Sequence, residues 1–461
     1  IWVNAYNARL RSAHKIRIIL PIFPTFSRKG GDFSMKKADL LSTLFIGIDV
    51  SSKENVVCFL EFTSQKPVLS FAVTNNQPGA IELSNRIADF MRQRTDLKSV
   101  TVALESTSYY GIHIANYLSS SVSLIPFNIS VYCINPMLVH GYKKTFVGMS
   151  KNDYVDAFAI ADFARVGKIT SSPWRGSQFL ALQRLTRHRL HLAKALTSEK
   201  TYMLSNIFLK FSELPLLEKD AQPFSNNYGS TATSVLTDFL STDEIADMPL
   251  QGLVDFIVEK GKNRFTDPLK TAELLQKAAR DSYRLDKCLY EPLTIALASS
   301  FNVIKAYSKE LKIINSAIEQ TIKGLDPNSY TVLLSVPGIG PVYAAGIIAE
   351  LGSIDCFKSQ DALAKYAGLT WRESQSGKFR ADETSMTKAG NIYLRYYLLE
   401  ATTHLIWHDA EYNSYYQKKF NEVRLHQHKR ALVLTARKFV RLIFGLLAKN
   451  QLYSQSREPL T

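Results

Sequence analysis

The hydrophobic period of this chain changes once, near Phe179, and that change excludes any fold built from one kind of layer. Before it, short β-branched and aromatic runs alternate with helical stretches. Residues 44–50, 55–62 and 68–73 predict three strands separated by turn residues, and 77–94 a helix. A fourth strand is expected at 99–105, a helix at 109–121, a fifth strand at 131–135 and an amphipathic helix at 153–166. Three strands followed by alternating strands and helices predict an α/β layer with a mixed sheet.

After Phe179 the period is helical. Leu185, Leu192, Leu196 and Met203 recur at seven, four and seven, and Ile304, Tyr307, Leu311, Ile314, Ile318 and Leu325 at three, four, three, four and seven. That is a heptad seam, which a lone surface helix does not need, and Asp326-Pro327 ends it. The polar stretch 212–286 lies between the two segments and turns helical toward its end. An antiparallel helical hairpin carrying an inserted helical subdomain is expected, its seam serving either dimerisation or internal closure. Residues 330–453 read as helical with polar interruptions. The fold class is therefore α/β plus all-α. The expected parts are an N-terminal extension (1–41), a mixed-sheet domain (42–170), a coiled-coil region (178–327, with the insertion at about 212–286) and a helical domain (328–455). The first 34 residues open without methionine, are basic and lack a clean period, so Met35 is expected to be the natural start.

Charge narrows the function. The chain holds 56 Lys and Arg against 41 Asp and Glu, a net +15, and such a surplus favours a polyanionic partner because each neutralised phosphate releases a counterion. Lys418, Lys419, Arg424, Lys429, Arg430, Arg437, Lys438 and Arg441 crowd the end, with aromatic residues interleaved. Cys58, Cys133, Cys288 and Cys356 form no CxxC pair, which argues against a zinc ribbon or disulfide framework and fits a reducing cytoplasm. No run of 18 apolar residues exists to span a membrane, and 16–26, with Arg17 and two prolines, fails as a signal-peptide core.

Four carboxylates stand out by position. Asp49 ends the apolar strand 44–50 within Gly47-Ile48-Asp49-Val50-Ser51, and Glu105 ends the apolar strand 99–105. Asp153 and Asp156 share a helix face at i and i+3. Asp162, six residues further, faces elsewhere. Carboxylates at two strand ends and one helix start can converge at one edge of a sheet. Such a cluster repels itself unless divalent cations sit in it, and oxygen ligands suit Mg²⁺, with Mn²⁺ as its substitute. Paired ions roughly 4 Å apart activate one oxygen and stabilise another at phosphorus. Taken singly, Asp49 serves equally to cap a turn, Glu105 to accept backbone donors, and Asp153 to cap a helix with Asp156 in its first turn. All four at these positions favour the cluster.

In the rear half, Val336-Pro337-Gly338-Ile339-Gly340-Pro341 precedes an apolar helix at 342–351 and looks like a helix-hairpin-helix turn. Gly338 and Gly340 in such a turn let backbone N–H groups approach a DNA phosphate, although tight helical hairpins also use Gly and Pro for packing. Tyr366-Ala-Gly-Leu-Thr370 then leads into a polar stretch, 371–388, containing Gln375-Ser376-Gly377-Lys378. Arg372, Lys378, Arg380 and Lys388 there suit a phosphate and the charge that develops on it. The residues alone do not set Ser376 apart from other loop serines.

With these motifs in order, the chain resembles the DEDD-type transposases of the IS110 and IS1111 insertion sequences. The matching segments are Gly-Ile-Asp-Val-Ser at 47–51, Ala-Leu-Glu-Ser-Thr at 103–107, Ile-Asn-Pro at 134–136 and Lys-Asn-Asp-Tyr-Val-Asp-Ala at 151–157. They continue with Pro-Gly-Ile-Gly at 337–340, Tyr-Ala-Gly-Leu-Thr at 366–370, Gln-Ser-Gly at 375–377 and Thr-Lys-Ala-Gly-Asn at 387–391. The resemblance implies a ribonuclease-H-like (RuvC-like) front domain, a coiled-coil middle and a C-terminal transposase domain. It places the metal ligands on Asp49, Glu105, Asp153 and Asp156, and the nucleophile on Ser376. It further implies a serine–DNA phosphodiester, a composite active site in a dimer or tetramer, DNA partners at element ends and target, and a structured non-coding guide RNA. The insertion at 212–286 and residues 1–34 depart from the family pattern. Two rival readings are a junction-resolving endonuclease using water as nucleophile and a non-catalytic nucleic-acid binder. The intact carboxylates argue against the second.

Overall fold

The computed structural model describes residues 37–106, 109–146, 152–169, 173–371, 375–376, 379–380, 386–387 and 389–454. The front unit is a five-stranded mixed sheet. Its central strand β1 (Thr43–Val50) pairs antiparallel with β2 (Glu54–Glu61), which pairs antiparallel with β3 (Leu69–Thr74). On the other side β4 (Ser99–Glu105) runs parallel to β1, and β5 (Ile129–Ile134) parallel to β4, for an order β3-β2-β1-β4-β5.

Both faces of β1 are covered, which is why its sequence is apolar almost throughout. Leu44, Ile46 and Ile48 face one side with residues of α1 (Gln77–Gln93) and α2 (Tyr110–Ser120), among them Leu83, Ile87, Ile114 and Leu118. Each is fully buried and so contributes about 2 kcal/mol of apolar transfer. The alternate residue Phe45 faces the other side, with Ala157, Ile160 and Ala161 of α4 (Asp153–Arg165). The observed strands and helices lie within two residues of their expected limits. Among the elements not foreseen is α3 (Pro136–Lys143), which follows β5, started by Asn135, whose side chain accepts from Met137 N at 3.0 Å, and by Pro136 in the first turn.

Two long helices, α5 (Ser177–Lys210) and α10 (Lys287–Leu325), pack along one another. They share two separate cores. At one end Met203, Ile207, Leu297, Phe301 and Ile304 join α6 (Ser230–Asp238), α7 (Thr242–Asp247), α8 (Leu250–Gly261) and α9 (Pro268–Asp281), all of them from the inserted stretch. At the other end Leu182, Ile314, Ile318 and Ile322 merge with the rear helices. Those are α11 (Pro327–Leu334), α12 (Pro341–Leu351), α13 (Gln360–Tyr366), α14 (Ile392–His408), α15 (Ala410–Asn421) and α16 (Gln427–Lys449). Among the described residues no helix is long and apolar enough to cross a membrane.

A charged clamp ties α5 to this rear core. The Glu350 side chain, on α12, has no solvent exposure. Arg187 of α5 meets it with two donors, Nε to Oε1 at 2.7 Å and Nη2 to Oε2 at 2.9 Å, and Asn391 Nδ2 adds a third at 2.9 Å. A buried carboxylate needs such saturation, since its desolvation is otherwise uncompensated. Asn391 also caps α14 by accepting from the Tyr393 and Leu394 amides. The Thr-Lys-Ala-Gly-Asn segment thus ends in a residue that holds two helices together.

Candidate carboxylate centre and nucleic-acid interface

The sheet register brings Asp49 and Glu105 side by side. Gly47 pairs with Ala103 and Ile48 with Leu104 on the parallel neighbour, so the next step along both strands sets Asp49 against Glu105. By the two-residue period Asp49 shares the face of Gly47, the face on which α4 packs. Gly47 allows that packing: a Cβ there would stand 2.1 Å from Ala157 O and 2.4 Å from Ala161 N. Asp153 lies one turn before Ala157 on the same stripe, so the close contact at Gly47 draws the start of α4 toward Asp49.

The turn-capping role open to Asp49 and the helix-capping role open to Asp153 fall to their neighbours, while Asp156 does lie in the first turn of α4. Ser51 closes the β1–β2 turn, its amide donating to Glu54 O at 2.9 Å and its hydroxyl accepting from Glu54 N at 3.0 Å. Asn152, not Asp153, caps α4, accepting from Val155 N at 2.8 Å. Asp162 is engaged elsewhere, with Tyr142 Oη at 2.5 Å and Arg165. Asp153 is left exposed at the helix start, and Asp49, Glu105 and Asp156 are half-buried.

A lysine that sequence reasoning missed completes the centre. Lys143, the last residue of α3, places Nζ 3.1 Å from Glu105 Oε1 and 3.1 Å from Asp156 Oδ1. Burial opposes its charge, but the hydrogen bonds to Glu105 and Asp156 outweigh that and hold the ammonium above the ordinary lysine range. Asp49 is pushed up to about 6, chiefly by burial. Lys143 pulls it down, while Asp156, Asp153 and Glu105 all raise it by repulsion. The other three acidic groups therefore all act on Asp49, and Lys143 offsets them.

Mg²⁺ fits the donor chemistry, which is all carboxylate oxygen. The spacing is looser than the chemistry. Among the described residues no three acidic, histidine or cysteine side chains stand together closely enough to hold one ion as placed, and an ammonium lies between two of the four. Asp49, Glu105, Asp153 and Asp156 would hold the ion once gathered around it.

In the rear half, Gly338 has φ +78°, the left-handed region that favours glycine, and a Cβ there would lie 2.8 Å from His404 O on α14. Its freedom serves packing within the protein. Gly340 is the extended N-cap of α12, with open space around it. Ser376 lies in a two-residue strand, β6 (Gln375–Ser376), paired antiparallel with β7 (Phe379–Arg380). Trp371 bridges Met386, and the Thr387 amide donates to Thr370 O at 2.8 Å, so the ribbon rises from a paired base. The side chains of Ser376 and Arg380, and the residues Arg372, Lys378 and Lys388, lie outside the described residues, as does Met35.

The cationic end is partly neutralised within the chain. Lys419 and Arg430 meet Glu422, Arg437 meets Asp361 and Lys438 meets Glu411. Lys418, Arg424 and Lys429 remain exposed around the α15–α16 turn.

Two family models match the chain. One, described as a transposase and bearing the DEDD and IS110 labels, covers residues 46–210. The other, described as the transposase IS116/IS110/IS902 family, covers residues 330–417. Among curated relatives, the insertion element IS116 uncharacterized 44.8 kDa protein of Streptomyces clavuligerus is 23% identical over 318 residues, 68% of this chain and 75% of its own length. The transposase for insertion sequence element IS1111A of Coxiella burnetii is 28% identical over 37% of this chain and 43% of its own. The pilin gene-inverting protein of Moraxella lacunata is 26% identical over 35% and 46% respectively.

Proposed function

Because this chain belongs to the IS110 family of transposases, we propose that it recombines DNA by serine attack on phosphorus, assisted by divalent metal at the Asp49 centre. The observation that carries the reading is that Glu105, Asp153 and Asp156, at the adjacent strand end and one helix start, all act on Asp49, with the Lys143 ammonium drawn between Glu105 and Asp156. The β3-β2-β1-β4-β5 order supports a ribonuclease-H-like front domain.

In this reading Asp49, Glu105, Asp153 and Asp156 hold Mg²⁺, or Mn²⁺ in its place. The bound ion would supply Lewis acidity toward a phosphoryl oxygen. Ser376 Oγ forms a bond to phosphorus as the bond from phosphorus to the leaving strand's oxygen breaks, giving a serine–DNA phosphodiester and a free hydroxyl. Attack by the hydroxyl of a second strand restores Ser376 and conserves the bond energy. Arg372, Lys378, Arg380 and Lys388 steady the phosphate and the charge that grows on it. In this reading the carboxylates and Ser376 meet in a composite active site of a dimer or tetramer. A structured RNA encoded beside the gene would choose the DNA, and the net +15 suits both polyanions.

The test is strand transfer on DNA carrying the element's flanks, with RNA from the native host. Asp153→Ala and excess EDTA should each abolish it, while the variant keeps the wild-type circular dichroism spectrum. Undiminished joining in EDTA would remove the metal from the reaction.

A further inference from the structure

The Lys143 ammonium occupies ground that a metal ion at this centre would need. The helix that carries it is firmly set. Asn135 and Pro136 fix the start of α3, Val139 is buried in the core shared with Ala157 and Ile160, and Tyr142 donates to Asp162 on α4 at 2.5 Å. A cation in the last turn of a helix is also favoured by the helix dipole. From that position Nζ reaches Glu105 Oε1 and Asp156 Oδ1 at 3.1 Å each. An octahedral ion bonds oxygen at about 2.0–2.1 Å. An ion gripping those same two oxygens would therefore lie against Nζ, with two positive charges in contact and one pair of acceptors between them.

We propose that Lys143 is a built-in counter-cation that the metal must displace: it neutralises the carboxylates while the site is metal-free and sets how tightly the site takes its ion. The inference rests on the metal reading above and adds a residue to it. Lys143 acts through Glu105 and Asp156 and is a positioning residue. Its removal has two effects of opposite sign. The metal-free domain loses the only described ion-pair partner of Glu105 and Asp156, so its stability falls. The metal loses its competitor, so its affinity rises. A lysine with a merely structural role would lower both.

The experiment is Mn²⁺ titration of the full chain by calorimetry or electron paramagnetic resonance, with thermal melts in EDTA and in Mn²⁺. The proteins are the wild type, Lys143→Met, Lys143→Gln, Lys143→Arg and Asp49→Asn. Lys143→Met should bind Mn²⁺ about tenfold or more tightly than the wild type, since a unit charge a few ångströms from both ligands is lost. Lys143→Gln, which keeps a neutral donor, should move the same way and guards against a Met variant that fails to fold. Lys143→Arg, which keeps the charge, should stay within about threefold of the wild type. Melting in EDTA should fall for the Met and Gln variants, and Mn²⁺ should restore more than it adds to the wild type. Unchanged or weaker binding by folded Lys143→Met and Lys143→Gln overturns the exchange. Absence of Mn²⁺ binding in the folded wild type, or equal binding by Asp49→Asn, overturns the metal reading itself and the exchange with it.

Discussion

Replacing Asp49 by Asn should make the metal-free protein more stable while destroying its activity. The Asp49 carboxyl stands at about 6 against an ordinary 3.8, raised first by burial and then by the charges of Asp156, Asp153 and Glu105, with Lys143 opposing. A difference of roughly two units corresponds to about 3 kcal/mol of strain in the ionised form. The carboxyl is only half-buried, so solvent screening reduces this to about 1–2 kcal/mol. The sign follows from linkage. A carboxyl whose folded value is raised binds more protons in the native state, so its contribution is whole below the unfolded value, near 4, and is lost as pH rises through about 6. Asparagine keeps the shape and removes the charge. Melting of the sheet domain in EDTA at pH 7.5 should rise by roughly 4–8 °C for Asp49→Asn, and the gain over the wild type should shrink toward zero by pH 4.5. No gain at pH 7.5, or a gain that persists unchanged at pH 4.5, would refute the electrostatic account of the centre.

Two further substitutions test the frame around it. Gly47→Ala should cost about 3 kcal/mol or more, because its Cβ would meet the α4 backbone at 2.1 Å and α4 must retreat, carrying Asp153 away from Asp49; chemical denaturation that matches the wild type would contradict the packing. Arg187→Met should destabilise the rear core by about 3–5 kcal/mol by leaving Glu350 buried and unpaired, and Glu350→Gln in the same chain should recover much of that loss.

The sheet, and the places of the four carboxylates along it, were legible because their signals are local. The apolar runs 44–50 and 99–105 mark two buried strands, and Asp49 and Glu105 stand out as the acids at their ends. The helix α3 left no such trace. It is eight residues long, contains Gly141, and buries only Val139, so it has no apolar stripe to read. Lys143 then looks like surface charge, and its role emerges only once α3 docks on α4. The one available hint was the Asn135-Pro136 start, a cap and a first-turn proline together. Glu350 is a comparable case: a single acid within the apolar run 342–351, whose partner Arg187 lies 163 residues earlier. The Gly338 turn was read as giving either access to phosphate or tight packing, and the close approach of the His404 backbone to Gly338 shows the packing. Basic residues near the end counted as one patch in sequence, while folding pairs Lys419 and Arg430 with nearby Glu422, and Arg437 and Lys438 with Asp361 and Glu411, which sequence distance hides.

The most direct measurement is of the bond between protein and DNA. Full-length protein with its native RNA, incubated with a nicked DNA substrate and then denatured, should carry a covalent adduct that peptide mapping places within residues 373–380. Ser376→Ala should still bind nucleic acid yet form no adduct and join no strands. An adduct on Ser374 or Ser385 would move the nucleophile to another hydroxyl. Cleavage by Ser376→Ala at the wild-type rate, with no adduct from either protein, would contradict the account and leave the chemistry to water activated at the carboxylate centre.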